Sequence, residues 1–106
     1  MVFIETSLFM KLLPEYLDDK EYRLLQIHLI GHPDAGALIR GSGGVRKVRW
    51  GAGGKGKSGG VRVIYYWLTA EHQIFFLTLY GKAEKEDLSA QDLKRVVQLL
   101  KELKGD

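Results

Sequence analysis

Residues 61–80 read VRVIYYWLTAEHQIFFLTLY, two apolar runs on either side of a short polar segment. The first run, 61–68, is apolar on both faces, which is typical of a strand in the middle of a sheet. Thr69-Ala70-Glu71-His72 turns the chain, and the second run extends from Gln73 to Tyr80. The pattern predicts an antiparallel hairpin of two buried strands.

A third strand is predicted just before this hairpin, over residues 45–50, where the sequence VRKVRW alternates between the two faces of a strand. Alternation places Lys47 and Arg49 on one face with Val45, and it places Arg46 on the opposite face with Val48. The strand therefore carries cations on both sides of the sheet.

The segments that flank these strands complete the predicted architecture. Val2–Ile4 predicts a first strand. Thr6 or Ser7 could cap a short helix through Leu8, Leu12 and Leu13, which Pro14 ends. Asp18 and Glu21 have the spacing of a capping box before a second helix, 22–30, which is apolar enough to be well buried. Ser89 caps a final helix with one apolar stripe. The class is α+β: a small antiparallel sheet of about four strands, with two N-terminal helices and one C-terminal helix.

Length and composition limit the possible functions. The 106 residues are expected to form one domain, 1–106, and the absence of cysteine excludes disulfides, thiolate metal sites and thiol catalysis. No apolar run approaches the roughly 20 residues of a membrane span, so no membrane partner is expected. The first 14 residues contain Glu5 and no small-residue cleavage site, so they do not resemble a signal peptide. We expect a cytoplasmic protein.

The positive charge is concentrated in one part of the sequence. The formal net charge of +3 divides into +7 over residues 40–62, which contain no acid, and −4 over the rest of the chain. The seven basic residues are Arg40, Arg46, Lys47, Arg49, Lys55, Lys57 and Arg62. Such an asymmetry indicates an anionic partner, most often nucleic acid. The alternative is a solvated basic loop that has no partner.

Residues 51–58, GAGGKGKS, match the phosphate-binding pattern G-x-x-x-x-G-K-[ST] in full. That pattern binds phosphate only where it leads into a helix, whose N-terminal N–H groups face the ligand. Here Gly59-Gly60 and a β-branched strand follow, so we predict no nucleotide hydrolysis. The spacing of the three histidines does not indicate a metal site either, and no cofactor is expected.

Three longer segments resemble a known family. They are LIRGSGGVRKVR at 38–49, KGKSGGVRVIYY at 55–66 and LTLYGKAEKEDLS at 77–89. Their combination is similar to the RelE/HigB superfamily of toxins from bacterial toxin–antitoxin modules, and most similar to the HigB-like branch. The similarity covers essentially the whole chain in length and element order, and it implies a RelE-like fold.

The resemblance implies a ribosome-dependent endoribonuclease that cleaves mRNA in the decoding site without a metal. It also implies a helix-turn-helix antitoxin as partner, with operator DNA reached only through that antitoxin. Carried over by motif, the catalytic residues are Lys47, Arg49, Arg62 and Lys82. Ala83 stands where many relatives have an arginine, and Leu88-Ser89 where some have a tyrosine. We expect RNA or ribosome contacts from Arg40, Arg46, Lys55, Lys57 and Tyr80.

The chemistry of RNA cleavage is consistent with such a cluster of cations. Attack by the 2′-hydroxyl needs a base, stabilisation of negative charge on phosphorus, and an acid for the leaving 5′-oxygen. Lys47 could act as the base only if Arg49 and Arg62 lowered its pKa. Because no carboxylate is near Arg62 in sequence, we predict that its side chain reaches the open end of the sheet and faces phosphate.

Two other functions fit the same residues. The first is a non-catalytic RNA- or ribosome-binding module of the same fold, since the same cations can bind and catalyse. The second is a protein-interaction domain with no role in nucleic-acid binding.

Overall fold

The computed structural model describes residues 1–51 and 60–105, and within them the chain forms three α-helices and five strands. The strands are β1 (Val2–Glu5), β2 (Ala37–Leu38), β3 (Val45–Trp50), β4 (Val61–Leu68) and β5 (Gln73–Gly81). The helices are α1 (Ser7–Tyr16), α2 (Asp19–Gly31) and α3 (Ala90–Lys104), and a single 3-10 turn (Thr69–Glu71) joins β4 to β5.

The strands form one sheet in the order β1-β5-β4-β3-β2. The α+β class, the three helices and the central β4–β5 hairpin are confirmed. Two details differ from the prediction. β1 pairs with β5 in parallel, because both strands start at the same end, where the Val2 N–H donates to the His72 carbonyl at 3.0 Å. The sheet also has one strand more than the four predicted. The additional strand is β2, whose two residues are too few to give a sequence pattern.

α1 begins where the sequence predicts and ends later. The Thr6 hydroxyl accepts the Phe9 N–H at 2.9 Å, which caps the first turn. Pro14 was expected to end the helix, but the helix continues to Tyr16. A proline in the last turn removes one hydrogen bond without preventing the residues beyond it from staying helical.

α2 has the predicted capping box and ends at Gly31 as predicted, but it is less buried than its composition suggests. Leu25 and Leu29 are buried, whereas Leu24, Ile27 and Ile30 are 49%, 57% and 54% exposed. A helix on the outside of a sheet buries only the stripe that faces the sheet, so the remaining apolar residues stay at the surface.

Apolar side chains pack on both faces of the sheet. On one face, α1 and α2 cover a cluster that includes Phe9, Leu25, Val63 and Phe76. On the other, α3 packs through Val96 and Leu100 against strand residues such as Val45, Ile64 and Leu77. Across residues 1–51 and 60–105, no helix is long and apolar enough to cross a membrane.

Candidate nucleic-acid interface

Three cations lie together on the α3 face of the sheet. The register pairs Arg49 of β3 with Arg62 of β4, and Arg62 with Tyr80 of β5. Side chains of directly opposite residues project to the same face with Cβ atoms roughly 5 Å apart. Lys47 lies two residues before Arg49 on β3 and shares its face. We refer to Lys47, Arg49 and Arg62 as the cation row.

Asp87 faces the cation row from outside the sheet. Its Oδ1 forms an ion pair with the Lys47 Nζ, although the two residues are 40 positions apart in sequence. The hydrogen bond and charge of Lys47 hold the pKa of the Asp87 carboxyl below its usual range, and the charges of Arg62 and Arg49 act in the same direction. All three cations therefore act on one carboxylate.

Arg62 lies beside Arg49, as predicted, but its side chain is not open to solvent as we expected. The residue is 3% exposed, in a central strand between Arg49 and Tyr80. The expectation of an open position relied on the lack of an acid near Arg62 in sequence. The fold supplies one, since Asp87 is close enough for the charge of Arg62 to lower its pKa.

Asp87 belongs to residues 82–89, which we call the connecting segment because it joins β5 to α3. Side chains from three elements anchor it. The Tyr80 hydroxyl donates to the Glu86 carbonyl at 3.3 Å, and the Lys85 Nζ donates to Asp92 Oδ2 at 2.9 Å. The Tyr16 hydroxyl donates to the Glu84 carboxylate. These contacts position Asp87 over the cation row.

Tyr80 lies beside the row as a buried hydroxyl donor. It is 3% exposed, and burial, followed by the nearby charge of Asp87, raises its pKa to about 12. The phenol is therefore protonated at neutral pH. We expected Tyr80 to contact RNA or the ribosome, but its ring is buried in the core cluster on the α3 face.

The remaining predicted site residues are dispersed. Lys82 is exposed at the rim, one residue beyond Gly81, which pairs with Val61 at the end of the sheet. Arg40 is exposed in the turn before Val45, at the opposite end of β3 from Arg49.

Arg46 occupies the other face of β3 and has a structural contact there. Its guanidinium donates to the carbonyls of Asp34 and Gly36 at 3.2 and 2.8 Å, which ties the segment before β2 to the sheet. Lys55 and Lys57, with most of the phosphate-loop-like stretch, lie outside the described residues.

Asp87 is the member of this site that sequence reasoning missed. In sequence, Glu84, Glu86 and Asp87 simply precede the last helix, where negative charge suits the helix N-terminus. Nothing in the spacing of Lys47 and Asp87 indicates contact, because their proximity depends on the pairing of β3, β4 and β5 and on the course of the connecting segment.

Comparison with known proteins identifies the family. The family model described as the RelE toxin of the RelE/RelB toxin–antitoxin system matches residues 34–105. The chain belongs to the RelE toxin family. The matched range includes the cation row and the connecting segment, so the site lies in the part of the chain that defines the family.

The fold of this RelE-family toxin is also similar to a solved structure. The structure is that of the E. coli toxin RelE in the free state, with two arginines replaced by alanine. It superposes on this chain with a TM-score of 0.60 at 19% sequence identity. The match covers 89% of this chain and 95% of that one. It confirms the predicted RelE-like architecture.

Proposed function

We propose that this RelE-family toxin is a ribosome-dependent endoribonuclease that cleaves mRNA in the decoding site. The observation that carries the proposal is that Lys47, Arg49 and Arg62 share one face of neighbouring strands, where Lys47 already pairs with a carboxylate, Asp87. A place where three cations act on one anionic group can also hold a phosphodiester, which offers similar anionic oxygens. Family membership supports the same conclusion.

In the proposed reaction the 2′-oxygen attacks the adjacent phosphorus and the bond from phosphorus to the 5′-oxygen breaks. A base accepts the 2′-hydroxyl proton and an acid donates a proton to the leaving 5′-oxygen, so the products carry a 2′,3′-cyclic phosphate and a 5′-hydroxyl. Negative charge develops on the phosphoryl oxygens in the transition state. The cation row is preorganised to stabilise it, and Arg62 is largely shielded from water, where such stabilisation is stronger.

The three cations have different roles in this proposal. Arg62 offers a planar fork of donors that can bind two phosphoryl oxygens and stays charged at any working pH. Lys47 and Arg49 add charge from β3. The resemblance implies a catalytic role for Lys82 as well; because this side chain is exposed at the same end of the sheet, we propose that it contacts the RNA or ribosome there.

The partners follow from the function. A ribosome carrying mRNA is the substrate, so the toxin would act in the cytoplasm. We propose a cognate helix-turn-helix antitoxin as the neutralising partner, with operator DNA bound only through the antitoxin.

The direct test uses purified toxin, programmed ribosomes and a defined mRNA, with cleavage sites mapped by primer extension. We expect cleavage of ribosome-bound mRNA, little cleavage of free mRNA, and 2′,3′-cyclic phosphate ends. Stoichiometric ribosome binding that leaves the transcript intact would contradict the proposal and favour the non-catalytic binding module.

A further inference from the structure

In the free protein an anionic oxygen already lies where the cation row would hold a phosphate. Asp87 Oδ1 bonds to the Lys47 Nζ, and Arg49 and Arg62 act on the same carboxylate. Carboxylates and phosphodiesters are bound by the same donors, so Lys47 cannot give its full charge and hydrogen bonds to both at once.

Exposure shows on which side of the row this carboxylate lies. The Lys47 side chain is 22% exposed, whereas the Asp87 side chain is 72% exposed. Asp87 therefore lies on the solvent side of Lys47. An incoming phosphate would meet Asp87 before it reaches Arg62, which is 3% exposed.

Two of the contacts that hold the connecting segment in place are of a kind that can break without unfolding the core. The Lys85–Asp92 pair is partly exposed on both sides, at 38% and 39%. Exposed ion pairs contribute little to stability. The bond from Tyr80 to the Glu86 carbonyl is 3.3 Å, longer than the usual range for a hydroxyl donor. Movement of the connecting segment would leave the β3–β4–β5 pairing intact.

We propose that Asp87 is a built-in competitor that occupies the phosphate position of the free toxin and that RNA must displace. This inference rests on the proposed function, because it takes the cation row to be the place where RNA phosphate binds. As a consequence, the apparent affinity of the free toxin for RNA is lower than the affinity that the cation row alone would give. The size of the reduction is set by the fraction of free molecules in which Asp87 is displaced, because only those molecules can bind RNA.

The test compares Asp87→Asn with Glu86→Gln, which removes the same charge from the adjacent exposed side chain. The probe is a fluorescein-labelled single-stranded RNA with 2′-deoxy substitutions, titrated into toxin without ribosomes and followed by anisotropy. We expect Asp87→Asn to bind roughly threefold or more tightly than Glu86→Gln, as removal of a competing surface ion pair implies. Thermal melts of both variants establish that they are folded.

Equal affinities in the two variants would overturn the proposal, because the gain would then be a general charge effect. Weaker binding by Asp87→Asn would also overturn it, because Asp87 would then assist RNA binding. The substituted RNA cannot be cleaved through a 2′-hydroxyl, so these affinities do not depend on catalysis. A toxin that leaves ribosome-bound mRNA intact would instead contradict the proposed function.

A second measurement uses the wild-type chain, so it does not depend on the folding of any variant. Inorganic phosphate is titrated into ¹⁵N-labelled toxin, and amide signals are followed by NMR. We expect residues 86–88 and Lys47 to shift with one saturation curve. Shifts confined to the strands, with the connecting segment unchanged, would contradict displacement of Asp87.

Discussion

At the scale of single residues, Gly36 lies where the chain approaches β3 too closely for a side chain. A Cβ atom there would lie 2.8 Å from Tyr65 Cε1 and 3.0 Å from the backbone carbon and oxygen of Lys47. The Gly36 N–H donates to the Tyr65 hydroxyl at 2.9 Å, and that hydroxyl donates to the Pro33 carbonyl at 2.7 Å. Gly36 thus packs against the backbone that carries Lys47.

We predict that Gly36→Ala destabilises the fold by about 1–3 kcal/mol, because backbone and a fully buried ring must move to accept the methyl group. The measurement is urea unfolding followed by circular dichroism. Gly31→Ala is the control, since a Cβ at Gly31 has no atom within 4 Å, and we expect it to be neutral or stabilising by about 0.5 kcal/mol. Equal stability of Gly36→Ala and the wild type would contradict this packing.

Arg62 shows what could and could not be predicted for one residue. Alternation along residues 61–68 correctly assigns it to one face with Ile64 and Tyr66, because that depends only on the period of a strand. Its burial depends on neighbours from other strands and on a carboxylate that arrives from the connecting segment. Neither of these is visible in local sequence.

At the scale of elements, the connecting segment is held by two tyrosines that remain protonated well into the alkaline range. Burial, followed by the hydrogen bond to Glu84, raises the pKa of Tyr16 to about 12. Burial, followed by the charge of Asp87, does the same for Tyr80. In both cases the folded state favours the neutral phenol, which can donate a hydrogen bond to the segment.

The Tyr16 contact predicts a pH dependence of stability. Because the pKa is raised from 10.0 to about 12 on folding, the contribution of Tyr16 is complete below pH 10 and is lost as the pH rises towards 12. Urea midpoints of the wild type and Tyr16→Phe should therefore differ most below pH 10 and converge towards pH 12. A difference that stays constant from pH 8 to pH 12 would contradict the raised pKa.

Elements that have a long or distinctive sequence pattern were predicted, and elements that lack one were missed. β4, β5 and the caps of α1, α2 and α3 were predicted because alternation and capping residues are local signals. β2 was missed because two residues carry no period, and the parallel direction of β1 was missed because strand pairing is decided by the path of the whole chain. The exposed side of α2 was missed because an apolar composition does not show how many sides of a helix are covered.

At the scale of the whole molecule, the five described residues of the seven-residue basic run do not form one surface. Lys47, Arg49 and Arg62 share the α3 face, Arg46 holds backbone carbonyls on the other face, and Arg40 lies at the far end of β3. The charge asymmetry predicted an anionic partner, and three residues of the basic run form the cation row. Which of these cations form the site and which make structural contacts depends on strand pairing in the sheet, and local sequence does not show that pairing.

The most direct test of the account is the single-turnover rate of cleavage of ribosome-bound mRNA by Arg49→Gln. Arg49 is exposed, unlike Arg62, so its replacement leaves the core intact. Arg23→Gln is the control, because it removes the same charge from an exposed arginine on α2, on the other side of the sheet. We predict that Arg49→Gln reduces the rate by about 10²–10³-fold, as loss of a preorganised donor does, while Arg23→Gln changes it by less than about twofold. Cleavage by Arg49→Gln at the rate of Arg23→Gln would contradict the assignment of catalysis to the cation row.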